Sequence, residues 1–135
     1  MAGKQAPTRV RELFNALRRE ALTVDADLRI YIVEGEEFEF PEERSLAYTY
    51  YESDDRPMKM VVAPKIIGVP EDRIEAILRH EFGHALLISG GAHDHSEREA
   101  DHVAETLWGE PIFYDEKDIQ SLCCGVRPRP DYLHR

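Results

Sequence analysis

The stretch Ile77-Leu78-Arg79-His80-Glu81-Phe82-Gly83-His84-Ala85-Leu86-Leu87 decides how this chain is read. It holds the pattern H-E-x-x-H inside a helical run. On a helix, residues four apart stand about 40° apart around the axis, so His80 and His84 share a face. That spacing lets two imidazoles grip one zinc ion at roughly 2.0–2.1 Å. Glu81, next to the first imidazole, can hold a water and take its proton. A five-residue string also arises by accident, so the surrounding sequence has to support it.

The flanks support a helix. Val69-Pro70-Glu71-Asp72 reads as its start, with Pro70 near the first turn and acids where the helix dipole favours them. Gly90-Gly91 reads as its stop. Ile74, Leu78, Ala85 and Ile88 recur at helical spacing as an apolar stripe. His80 and His84 lie on a neighbouring face, flanked by Ile77 and Leu87. One side of the helix is thus expected in a core and another toward a cleft. Gly83, inside the helix, costs about 1 kcal/mol relative to alanine. Either it admits a second backbone at close range or it is a tolerated weak point, and the sequence leaves both open.

A zinc site needs a third ligand. Ser96 followed by Glu99 is a capping box, so a second helix should begin there and end at Gly109-Glu110-Pro111. On that helix Glu97, Asp101, Ala104 and Trp108 fall within about 60° of one another. Ala100, Val103 and Leu107 add the adjoining apolar face. Two carboxylates beside a buried stripe are disfavoured unless a metal or a cationic partner resolves the conflict. The plain alternative is that Glu97 is an N-terminal acid favoured by the helix dipole. His93 and His95, in the intervening loop, could reach the metal, bind substrate or polarise its carbonyl, or simply form a solvated turn. His102 points away from Glu97, and Glu99 is accounted for by the cap.

With H-E-x-x-H followed one helix later by Glu97-x-x-x-Asp101, the chain resembles the gluzincin zinc metallopeptidases. The local string Glu97-Arg98-Glu99-Ala100-Asp101-His102-Val103-Ala104 is similar to an element of the HtpX-like membrane peptidases and of the small soluble ImmA/IrrE-like peptidases. The resemblance spans about Met58 to Trp108. It implies that His80, His84 and Glu97 are zinc ligands and that Asp101 orients a ligand histidine. It also implies a zincin-like core whose sheet edge receives substrate as an added strand. A likeness to the matrixin zinc helix fails, because Leu87 replaces the required glycine and Gly90 stands where a third histidine should be.

Outside the motifs the chain reads as a single α+β domain, with 135 residues enough for one core. Thr8 to Leu22 should form an amphipathic helix with Val10, Leu13, Phe14, Leu17 and Leu22 inward. Leu28 to Val33, Ser45 to Glu52 and Met58 to Ala63 should be strands, the second with Leu46, Tyr48 and Tyr50 on one face. The expected order is N-terminal helix, three-stranded sheet, active-site helix and third-ligand helix. The acidic run Glu34 to Glu43 reads as a solvated loop, or as a strand extension through Phe38 and Phe40. Asp115 to Cys124 reads as a short final helix. The domain is taken as residues 1–126, and the proline-rich residues 127–135 as a flexible tail.

A formal net charge of −10 disfavours binding to nucleic acid, because phosphate repels it. No apolar run suits a signal peptide or a membrane span, so a cytoplasmic protein is expected. Adjacent Cys123 and Cys124 make no disulfide framework and read as reduced thiols. The expected function is a zinc-dependent endopeptidase with one zinc per chain, Glu81 as general base and a protein or peptide substrate. His93, His95 and Tyr114 are candidates for contacting substrate or the oxyanion. The alternative is a catalytically silent zinc-binding regulatory or interaction module. Glu81 argues for the enzyme, because a structural site has no use for that acid. The oligomeric state is not legible.

Overall fold

A computed structural model of the chain describes residues 5–41 and 46–109, and residues 123–128 as backbone. Helix α1 (Thr8–Ala21) follows Pro7, whose fixed φ suits a helix entry. Strands β1 (Ile30–Glu34), β2 (Ala47–Tyr51) and β3 (Met58–Val62) come next. Helices α2 (Glu71–Ser89) and α3 (Glu97–Trp108) follow, and a last strand, β4 (Cys123–Pro128), closes the described chain. The result is the expected α+β class, with three α-helices and a mixed sheet among the described residues.

The sheet order is β1-β3-β2-β4. β1 pairs with β3 in parallel, Ile30 opposite Met58, and β2 pairs with β3 antiparallel, Ala47 opposite Val62. The three expected strands form, each within two residues of its expected ends. β4 adds to the far side of β2 in parallel, with an irregular register between Ala47 and Thr49. Cys123 and Cys124 therefore lie in a strand and not in the expected final helix, since pairing with a remote strand outweighs a weak local helical pattern. Residues 115–122 of that helix lie outside the described residues. Arg127 and Pro128, assigned to the tail, pair with Tyr50 and Tyr51.

α2 is the centre of the molecule. From Ile74 to Ile88 it is buried on nearly every side, including the expected stripe of Ile74, Leu78, Ala85 and Ile88. α1 covers one flank with Val10, Phe14, Leu17 and Ala21, at the i, i+4, i+7, i+11 spacing of a helix stripe. Phe82 stacks on Phe14 with ring centroids 5.2 Å apart and sits 6.1 Å from Trp108. The Trp108 indole N–H donates to Glu20 Oε1 at 3.0 Å, tying the end of α3 to α1. A fully buried phenylalanine contributes up to about 3 kcal/mol, so Phe82, lying between the two histidines in sequence, is also their anchor.

Part of the opposite face of the sheet is covered as well. Val33, Phe40, Tyr48, Val61 and Ala63 form a second, smaller cluster. Of the acidic run only Phe40 joins it. Glu36, Glu37 and Phe38 stay exposed, as expected of a solvated loop, and no strand extension forms through Phe38 and Phe40. Residues 42 and 43 lie outside the described residues. Glu37–Glu39 is a short 3-10 turn capped by the reciprocal Glu36–Glu39 contacts. It turns Phe40 inward against Tyr48, at 5.6 Å, and leaves Phe38 exposed. No helix among the described residues is long and apolar enough to cross a membrane.

Candidate metal centre

His80, Glu81 and His84 occupy consecutive turns in the middle of α2 and are 0%, 0% and 1% exposed. Together they make a buried group that could hold a metal ion, with potential ligand atoms within 4.8 Å of one another. The two imidazoles meet edge to face, 4.9 Å between centroids. Three polar residues in a helix core need partners, because an unpartnered buried polar group costs several kcal/mol. α3 and β2 supply them.

From the first turn of α3, Glu97 Oε1 lies 2.9 Å from His80 Nε2 and 3.2 Å from His84 Nε2. One turn on, Asp101 Oδ1 lies 3.2 Å from the other nitrogen of His80, Nδ1. Glu97 and Asp101, singled out from the sequence, thus converge on the H-E-x-x-H face. Burial by itself would raise the Glu97 carboxyl. The contacts with His80 and His84 outweigh it and hold the group at about 2, against an ordinary 4.5.

The approach of α3 depends on Gly83. A β-carbon there would stand 2.0 Å from the carbonyl oxygen of Ala100 and 2.8 Å from its carbonyl carbon. Gly83 is therefore the point of close backbone approach, and Ala100, fully buried, is its small counterpart. The start of α3 is fixed by its cap. Ser96 Oγ accepts from the Glu99 N–H at 3.1 Å, and the Ser96 N–H donates to Glu99 Oε1 at 3.0 Å. Gly109, at φ 68°, ends the helix in the left-handed region that glycine tolerates. The cap sets which face of α3 is turned to α2, and Glu97 is the residue immediately after it.

Glu81 is held from the sheet. Thr49 Oγ1, on β2 and fully buried, is 2.7 Å from Glu81 Oε1 and 3.2 Å from the Glu81 carbonyl oxygen. Glu81 Oε2 is buried with no hydrogen-bond partner among the described residues. Burial pushes the Glu81 carboxyl upward, against the pull of His84, His80 and the Thr49 hydroxyl. This combination gives a stronger base than a solvated glutamate, with one oxygen anchored and the other available. Sequence reading missed Thr49. A single threonine between tyrosines in a strand carries no local signal, and its partner lies 32 residues away.

The loop histidines separate. His95 Nε2 lies 2.7 Å from His84 Nδ1, the ring nitrogen not facing Glu97, and His95 Nδ1 lies 2.7 Å from the carbonyl oxygen of Ala92. Burial pushes His95 below the ordinary histidine range. His93 stacks on Tyr51, 4.9 Å between centroids, and its Nε2 is 3.7 Å from Asp54 Oδ1. It borders a cavity of about 480 Å³ with Arg29, Tyr51, Met58 and Ile88, and none of His80, Glu81, His84 or Glu97 lines that space. Tyr114 lies outside the described residues. No protein-family model, curated protein or solved structure matches the chain.

Proposed function

We propose that the chain is a zinc-dependent endopeptidase of gluzincin type, with His80, His84 and Glu97 as metal ligands and Glu81 as general base. The observation that carries this reading is the convergence of two imidazole Nε2 atoms on one carboxylate oxygen, at 2.9 and 3.2 Å, beside Glu81 Oε2, which has no hydrogen-bond partner among the described residues. Two ligand atoms about 2.0–2.1 Å from a tetrahedral zinc stand roughly 3.3 Å apart, so these separations are close to those of a ligand set. Asp101 accepts from His80 Nδ1–H, which leaves the Nε2 lone pair directed at Glu97. Lone pairs of nitrogen and carboxylate oxygen at such range repel unless a proton or a metal cation lies among them. Two nitrogens and a carboxylate suit zinc among the available metals.

Bound zinc would supply Lewis acidity, polarising a scissile carbonyl and making a neighbouring water more acidic. Glu81 Oε2 takes the proton of that water and passes it to the leaving amine. Thr49 holds Glu81 Oε1, so the carboxylate cannot swing away while Oε2 works. Asp101 fixes the tautomer of His80. Glu97, about a third exposed at its side chain, marks the side from which a peptide reaches the buried residues. The substrate class is protein or peptide, as the gluzincin resemblance implies.

The burial of His80, Glu81 and His84 also favours a second reading, a closed metal site in an interaction module that cleaves nothing. Metal analysis with proteolysis of an unfolded protein separates the two. The peptidase reading requires about one zinc per chain, chelator-sensitive cleavage, and a Glu81→Gln variant that keeps its zinc and cleaves nothing. Full activity in Glu81→Gln excludes the mechanism. Bound zinc with no cleavage of any peptide by the wild-type chain favours the module.

A further inference from the structure

The geometry points to His95 as a positioning residue for His84: it accepts a hydrogen bond from His84 Nδ1–H and thereby leaves the His84 Nε2 lone pair free to face Glu97. The inference rests on the metal-site reading for its purpose, and on hydrogen-bond chemistry for its content. A carbonyl oxygen can only accept. The His95 nitrogen 2.7 Å from the Ala92 carbonyl, Nδ1, must therefore carry the proton. In a neutral imidazole the other nitrogen is then bare. That nitrogen, Nε2, lies 2.7 Å from His84 Nδ1, which must in turn be the donor. The proton on Nδ1 leaves Nε2 of His84 as the side with the lone pair, 3.2 Å from Glu97 Oε1.

The line begins on a fixed point. The Ala92 N–H donates to the Leu87 carbonyl at 2.8 Å, at the C-terminal end of α2. A hydrogen-bonded series thus runs from the backbone of α2 through Ala92 and His95 back to a side chain of the same helix. It makes the two histidines unequal. His80 is oriented by a carboxylate, whereas His84 is oriented by a neutral ring that adds no negative charge. A second carboxylate at position 95 would donate more electron density through His84 and weaken the Lewis acidity of a bound metal.

The test uses the full chain with His95→Leu, which removes the acceptor, and His95→Gln, whose amide can accept from His84 and donate to Ala92. In metal-free protein, ¹⁵N NMR of the histidine rings should find the His84 proton on Nδ1 in the wild type and in His95→Gln, and lost from Nδ1 in His95→Leu. Zinc affinity should fall about 10–100-fold in His95→Leu and stay within about threefold in His95→Gln. The absorption bands of the cobalt-substituted protein should change only in His95→Leu. An unprotonated His84 Nδ1 in the wild type overturns the proposal. So does wild-type zinc affinity in His95→Leu, or a His95→Gln variant as weak as His95→Leu. If the wild type binds no metal, the functional reading fails while the NMR result still decides the role of His95.

Discussion

Gly83→Ala should damage the chain although alanine is the better helix former. In an isolated helix the change is worth about 1 kcal/mol in favour of alanine. Here the new β-carbon would stand 2.0 Å from the Ala100 carbonyl oxygen, where an ordinary carbon–oxygen contact is about 3.3 Å. More than about 1 Å of separation must open between α2 and α3. The obstructing atom is backbone, so rotamer changes cannot relieve the clash and Ala100→Gly should not rescue it. Overpacking of this kind costs about 1–3 kcal/mol or more, which cancels the propensity gain and leaves a net loss. The displacement falls within one turn of Glu97 and Asp101. It would pull Glu97 Oε1 away from its 2.9 and 3.2 Å contacts and lower zinc affinity by about 10–100-fold. Thermal unfolding of the metal-free protein and chelator competition for zinc measure the two effects separately. A Gly83→Ala protein with a higher melting temperature and unchanged zinc affinity would refute the close approach of α2 and α3.

Other substitutions probe the remaining parts of the site. Glu81→Gln removes a buried carboxyl whose acidity burial opposes, so the metal-free variant should melt at a higher temperature than wild type at pH 7. A lower melting temperature would contradict the burial penalty. Thr49→Val frees Glu81 Oε1 at nearly constant volume, so kcat should fall about 10-fold or more while zinc content is unchanged, and an unaltered kcat would remove Thr49 from the mechanism. Glu97 has a folded-state pKa of about 2, below its ordinary 4.5. Its contribution to stability is therefore complete above about pH 4.5 and is lost as pH falls toward 2. In acid titration of the metal-free chain, Glu97→Gln should flatten that part of the stability profile, and identical profiles would contradict the assignment. Phe82→Ala should cost about 3–5 kcal/mol through the loss of packing against Phe14, measured by denaturant unfolding.

The parts of the fold legible in the sequence are those governed by local rules. The Ser96–Glu99 box, Pro70 and the glycines at 90 and 109 bound α2 and α3 almost to the residue, because capping is a short-range matter of orphan backbone groups. Glu97 and Asp101 were legible for the same reason: once the cap fixes the helix phase, their shared face follows. What stayed hidden depends on distant partners. Tyr48 and Tyr50 read as one face of β2, yet β2 carries buried residues on both faces, so alternation could not reveal that Thr49 and Tyr51 face α2. β4 exists through pairing with β2, and its local pattern suggested a helix end. The role of Gly83 needed the position of Ala100, and the contact of His95 with His84 needed the path of a loop that periodicity does not describe.

Zinc K-edge X-ray absorption of the metal-loaded chain tests the central claim most directly. The account predicts two imidazole nitrogens and one carboxylate oxygen at about 2.0–2.1 Å with a further light atom, and loss of one imidazole in His84→Ala. Thiolate sulfur at about 2.3 Å, or a spectrum unchanged by His84→Ala, would contradict it.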